Sequence, residues 1–197
     1  MIYRLVLVYF LSVSNIFASE YFMELLLGMS LDRNKIETSL TNPDFSIYNS
    51  SDTATTQFEA RLGYSFYMSN SFYLEPSIGL GYLKSFSQDI DISPLYSIEV
   101  PVLYKVNAFK YGLLLKYNYY PEISAEAIYD SVKFKNKSSV SVGAKILLVG
   151  SIVDLILKYE YLMNGIYEDK YLNSYGKTTT KVNLEGGYIS AGLRFKF

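Results

Sequence analysis

The last twelve residues, GGYISAGLRFKF, place Ile189, Ala191, Leu193, Phe195 and Phe197 at alternate positions and Tyr188, Ser190, Gly192, Arg194 and Lys196 between them. A period of two is the pattern of a β-strand with one apolar and one polar face. Because the chain stops at Phe197, the partners of this strand must be found elsewhere. The same alternation recurs upstream, which predicts strands over about 20–31, 55–68, 72–85, 97–106, 111–119, 139–148, 153–161 and 179–197. The expected fold is all-β: an eight-stranded antiparallel up-and-down barrel.

Alternation does not say which face meets solvent, because a soluble eight-stranded barrel alternates too, with its apolar set inside. The connections separate the two. Residues 32–54, 86–93, 121–137 and 164–178 are long or polar and rich in turn formers, whereas 69–71, 107–109 and 149–151 are tight. Long and short connections in strict alternation are the pattern of a transmembrane β-barrel, with both chain ends on the short-turn side. Each apolar face spans ~9–11 residues of strand, the length a tilted strand needs to cross hydrocarbon. The apolar set is therefore expected to face lipid.

The opposite set must then fill the interior. It holds Glu24, Glu59, Glu75, Glu99, Asp154 and Glu160 against Arg61, Lys105, Lys116, Lys145, Lys158 and Arg194, equal numbers of acids and bases. An eight-stranded barrel has just enough room for such side chains. Interleaved and hydrogen-bonded charges are tolerated there, whereas unpaired ones cost several kcal/mol each. Turning the faces round would put the cations into lipid at ~2–4 kcal/mol for each Lys or Arg at the midplane.

Composition narrows the chemistry. The chain has no Cys and no His, so thiolate zinc sites, cysteine nucleophiles and the commonest general base are absent. No catalytic, cofactor-binding or metal-binding residue stands out. Asp89 and Asp91 fall far short of a calcium cage, and the triplets at Asn49 and Asn136 are weak glycosylation signals. A net charge of −1 gives no basic footprint for nucleic acid. Residues 1–18 carry Arg4, the apolar run from Leu5 to Leu11 and a small residue at Ala18, which reads as a secretory signal preceding a barrel domain over 19–197.

On these features the chain resembles the small bacterial outer-membrane β-barrels of the OmpA transmembrane-domain and OmpX type. The segment Ile98-Glu99-Val100-Pro101-Val102-Leu103 is similar to a strand of the porin-like outer-membrane β-barrel family. The resemblance implies residence in the outer membrane of a Gram-negative bacterium, among lipid and lipopolysaccharide. It also implies that Ile189, Leu193, Phe195 and Phe197 form a terminal signal read by the barrel insertion machinery. Enzymes built on this architecture lean on a histidine, so no enzymatic activity is expected. The function expected is a scaffold with a closed, charge-paired interior whose loops contact a host or surface ligand, with Tyr48, Tyr129, Tyr167, Tyr171 and Tyr175 as candidate anchors. The alternative is a narrow pore or transport barrel for ions or small apolar molecules.

Overall fold

The computed structural model describes residues 20–69, 71–86, 90–126, 131–173 and 176–197. The expected signal segment 1–18 lies outside the described residues, as do Asp89, Tyr129 and Tyr175. The strands in chain order are β1 (Glu20–Ser30), β2 (Asn34–Asn42), β3 (Phe45–Thr53), β4 (Thr55–Ser69), β5 (Phe72–Leu74), β6 (Ser77–Ser85), β7 (Ile90–Val106), β8 (Phe109–Glu126), β9 (Ser131–Leu148), β10 (Val153–Met163), β11 (Ile166–Asn173), β12 (Gly176–Asn183) and β13 (Gly186–Lys196). They form two antiparallel sheets. The larger runs β1-β13-β10-β9-β8-β7-β5-β4-β6, and further pairings of β1 with β4 and of β6 with β7 bring it back to its first strand. The smaller runs β11-β12-β2-β3.

The expected count of eight strands is therefore not what the hydrogen bonding gives: the described residues form thirteen, nine in one sheet and four in the other. Two causes account for the difference. The predicted third strand divides into β5 and β6 around Glu75-Pro76, where proline has no N–H to give to the ladder. The predicted loop 32–54 is not a loop but the hairpin β2–β3, and the predicted loop 164–178 together with the start of the predicted last strand, 179–183, forms the hairpin β11–β12, so that the predicted strand 179–197 divides into β12 and β13; the two hairpins are joined through the pairing of β12 with β2. The predicted loop 121–137 likewise belongs largely to extensions of β8 and β9, which pair as far as Glu126↔Ser131.

In the larger sheet the alternation has the orientation expected of a membrane barrel. Leu27, Leu62, Ile78, Ile98, Leu113, Leu155 and Leu157 are exposed, whereas Glu24, Arg61, Glu99, Lys116, Lys145 and Lys158 are buried. Aromatic residues border the exposed aliphatic band at both ends. On the short-turn side Tyr21 meets Tyr64, Tyr64 meets Phe66, and Tyr104 touches both Phe72 and Tyr111. On the opposite side Phe58 stacks on Tyr82 and Tyr96 lies against Tyr119. Such girdles mark the two interfaces of a membrane barrel.

Beyond the second girdle the alternation inverts. On β8 the buried positions are even-numbered through Tyr120, then odd at Ile123 and Ala125. On β9 they change from Val132 and Phe134 to Ser139 and Ser141, and on β7 from Ile90 and Ile92 to Leu95 and Ser97. The pairs Tyr120↔Lys137 and Glu122↔Lys135 put Pro121 opposite Asn136, whose φ is 54°. On the register of Asp91↔Ser124 and Tyr96↔Tyr119, Pro94 stands opposite Pro121. The three strands thus exchange faces along one line, at residues that lack a donor or tolerate the left-handed region. Past that line Ile90, Ile92, Ile123, Val132 and Phe134 join Ile36, Val182, Tyr167 and Leu184 in an apolar core between the extended strands and the smaller sheet.

Candidate functional site

The interior of the larger sheet is built by cross-strand neighbours of opposite charge. Asp154 on β10 is opposite Arg194 on β13, Arg194 is opposite Glu24 on β1, and Glu24 is opposite Arg61 on β4. On one face of a sheet such partners are within reach of each other, and opposite charges stabilise where like charges would repel. Within the lumen Lys158 faces Lys145, against the rule. Glu99 resolves it from across the lumen, with Oε1 at 3.0 Å from Lys145 Nζ and Oε2 at 3.1 Å from Lys158 Nζ.

The remaining charges interlock around this centre. Arg61 Nη1 lies 2.7 Å from Glu59 and 3.4 Å from Glu99. Lys116 Nζ lies 2.9 Å from Glu59 and 3.4 Å from Glu160, which is also 2.6 Å from Lys158. Arg194 bridges Glu24 at 2.7 Å and Glu75 at 2.6 Å, and Lys145 donates to Glu24 at 2.8 Å. Serines complete the coordination: Ser97 bonds Glu59, Ser65 donates to Glu75, and Arg61 donates to Ser77 and Ser97. The room comes in part from Gly79, where an added Cβ would stand 2.5 Å from Glu59 Oε1.

Of the charged residues expected in the lumen, Lys105 alone is placed elsewhere. It is exposed beyond the last inward turn of β7 and lines an open vestibule of about 440 Å³ at the short-turn end. Lys110 takes its place, buried, with Nζ 2.9 Å from Glu75 and 3.9 Å from the centroid of the Tyr73 ring. Sequence parity carried the signal, because Lys110 shares even numbering with Lys116 on the same strand; β8 begins at Phe109, earlier than the predicted 111. Asp154 sits at the periphery, paired with Lys196 at 2.9 Å. Ser65, Ser77 and Ser97 share the inward faces, but without charge nothing in the sequence marks them as partners of the ions.

Two apolar layers bound the network. Leu26, Leu103, Leu147 and Ile156 pack with Tyr73 toward the short turns. On the other side Leu83, Leu95, Tyr120, Leu162 and Tyr188 close over it, the Tyr120 hydroxyl lying 2.7 Å from Ser139 Oγ and that of Tyr188 2.9 Å from the Leu184 carbonyl. Between this lid and Lys116 and Glu160 a cavity of about 10 Å³ remains, no larger than a single water needs. Above the lid Tyr167 donates to the Ser138 carbonyl at 3.0 Å, and burial raises its pKa above that of an ordinary phenol. Among the described residues no cluster of three or more Asp, Glu, His or Cys could hold a metal ion.

A barrel with an aliphatic belt, two aromatic girdles and a buried ionic interior has the build of an integral outer-membrane protein. The chain is similar to small outer-membrane barrels. It aligns with the attachment invasion locus protein Ail of Yersinia pestis at 15% identity over 90% of this chain and 100% of that one, with a TM-score of 0.41. Neisserial surface protein A aligns at 15% identity over 90% and 97% with a TM-score of 0.45, and OprG of Pseudomonas aeruginosa at 10% over 91% and 96% with a TM-score of 0.47. No family model and no curated protein sequence matches.

The terminal residues expected to signal insertion lie along β13 and its end. Leu193 and Phe197 are exposed on the lipid face, and Ile189 and Phe195 are half-buried. Of the candidate loop anchors, Tyr48 is exposed on β3, Tyr167 is buried in the outer core, and Tyr171 packs against that core.

Proposed function

We propose that this chain is an outer-membrane scaffold of eight spans, with β5 and β6 as the halves of one interrupted span, that holds an interaction surface outside the cell. The observation that carries the reading is the filled lumen: interlocked ion pairs beneath an apolar lid that leaves about 10 Å³. A water-filled pore would need a continuous polar path, and Leu83, Leu95, Leu162, Tyr120 and Tyr188 stand across it. The surface is the smaller sheet, whose terminal strand β3 pairs with no second strand among the described residues and presents Tyr48 at 65% and Phe45 at 45% exposure. β3 carries no Lys, Pro or bulge of the kind that blunts an edge, so an extended segment of a host or surface protein is a suitable ligand. Lipid and lipopolysaccharide surround the barrel, and the insertion machinery reads the end of β13.

Two measurements test this. Purified protein in a planar bilayer is expected to stay electrically silent; steady openings altered by Glu59→Gln would establish the pore instead. In a non-adherent Gram-negative host displaying the protein, Ser50→Pro with Tyr48→Ala is expected to abolish attachment to host cells or matrix while the heat-modifiable gel shift persists. Attachment at the original level would remove β3 from the proposal.

A further inference from the structure

The lipid-facing surface is not uniform. On the short-turn side it is indented by a groove of about 450 Å³ walled by Leu62, Tyr64, Ile78, Ile98 and Phe197 with Pro76 between them. Three sequence features make it. The strand opposite β4 is interrupted at Glu75-Pro76, so the ladder passes from Gly63↔Ser77 to Phe66↔Leu74 and the compact proline ring sits where a longer side chain would otherwise project. Gly63 has no side chain, and the Phe22 ring occupies from inside the space its Cβ would take. Phe197 is held beside the groove by its N–H, which donates to the Tyr21 carbonyl at 3.1 Å.

We propose that the groove is a binding site for one acyl chain of a membrane lipid in the leaflet on the short-turn side. This rests on the barrel's lying in a membrane. The walls offer almost no polar atoms, so a water in the groove would lack the two to four polar partners it needs. The surrounding surface is the aliphatic band, so the molecules that reach the groove are lipid tails. Tyr21 and Tyr64, in edge contact at 4.8 Å, belong to the girdle on that side, which places the headgroup beside them at the interface. The volume lies within the ~300–1,000 Å³ of ordinary small-molecule sites. Phe22 forms part of the floor and carries Arg194 4.0 Å over its ring centroid, so one aromatic ring separates the tail from the ionic interior.

The chain has no tryptophan, which makes the test direct. Single-tryptophan variants Tyr64→Trp, in the groove wall, and Tyr111→Trp, in the same girdle away from it, are reconstituted in phosphatidylethanolamine–phosphatidylglycerol vesicles containing tail-brominated phosphatidylethanolamine. Quenching at Tyr64→Trp is expected to reach half its maximum at a lower fraction of brominated lipid than at Tyr111→Trp. Adding Ile78→Phe, which fills the groove, is expected to shift the curve back onto that of Tyr111→Trp, with the heat-modifiable gel shift confirming the fold. Pro76→Leu serves as the filling variant if Ile78→Phe does not insert. Coincident curves for the two single variants would overturn the site while leaving the membrane assignment intact, since both would still be quenched. No quenching at either position would overturn the membrane assignment, and the site with it. A shift that survives filling would overturn the groove as its cause.

Discussion

The barrel and the part of the molecule beyond it are made from the same strands and are inside out with respect to each other. Below the line through Pro94, Pro121 and Asn136, β8 buries Lys110, Lys116 and Asn118 and exposes Leu113 and Leu115. Above it the same strand buries Ile123 and Ala125 and leaves Glu126 exposed. Neither arrangement is intrinsic to a β-sheet. In hydrocarbon, apolar side chains gain nothing by being hidden and backbone polar groups must be paired, so the charges turn inward. In water the hydrophobic effect returns and the ordinary core reappears. The exchange of faces within three adjacent strands reads the membrane boundary from the protein itself.

The comparison can be broken most severely at the centre of the barrel. Arg61→Ala leaves Glu59, Glu99 and Glu24 without their shared cation, and loss of one partner from a buried pair costs ~3–5 kcal/mol. Denaturant unfolding in vesicles should show a loss of that order; an unchanged midpoint would mean the interior is hydrated. In the outer core, Phe134→Ala removes a buried ring at ~3–5 kcal/mol, but the damage should be local. Limited proteolysis is expected to cut the outer strands while the heat-modifiable barrel survives, and simultaneous loss of both would show that the regions fold as one unit.

Two exposed leucines sharpen the contrast. Leu157 is 48% exposed on the lipid face of β10 and Leu172 is 82% exposed on β11. Replacement by lysine should cost ~2–4 kcal/mol at Leu157, in hydrocarbon. The same change at Leu172 should stay within ~0.5 kcal/mol, because water is already its solvent. Equal costs would place the membrane wrongly. The smallest effect belongs to the surface pair of Glu122 and Lys133, 2.8 Å apart. The hydrogen bond from Lys133 lowers the Glu122 pKa, so Lys133→Gln should raise it toward the ordinary carboxylate value in an NMR titration. The unfolding midpoint at neutral pH should not move detectably, as for most exposed pairs.

How much of this was legible in the sequence follows from the same physics. The barrel strands alternate bulky aliphatic with charged residues, so both period and orientation could be read, and the lumen charges with them. Lys105 was misplaced because parity says which face a residue takes but not where a strand leaves the lumen. The outer hairpins gave a weaker signal. On β2 the inward positions are Asn34, Ile36, Thr38 and Leu40, and on β12 Thr178, Thr180 and Val182. With polar residues at inward positions, β2 scans as part of a turn-rich loop and β12 as little more than the start of the last barrel strand, and the outer sheet they share comes from their pairing across the chain. The exchange of faces at Pro121 was hidden likewise, since its proline read as the start of a loop.

The pairing of β12 with β2 has one more consequence. β1 and β13, first and last around the ring, meet along one seam, and β2 and β12 prolong that seam into water. Since β2 follows β1 and β12 precedes β13 in the chain, the outer sheet cannot be finished until the two termini have found each other. Completion of that sheet and sealing of the cylinder behind it are therefore two parts of one closure.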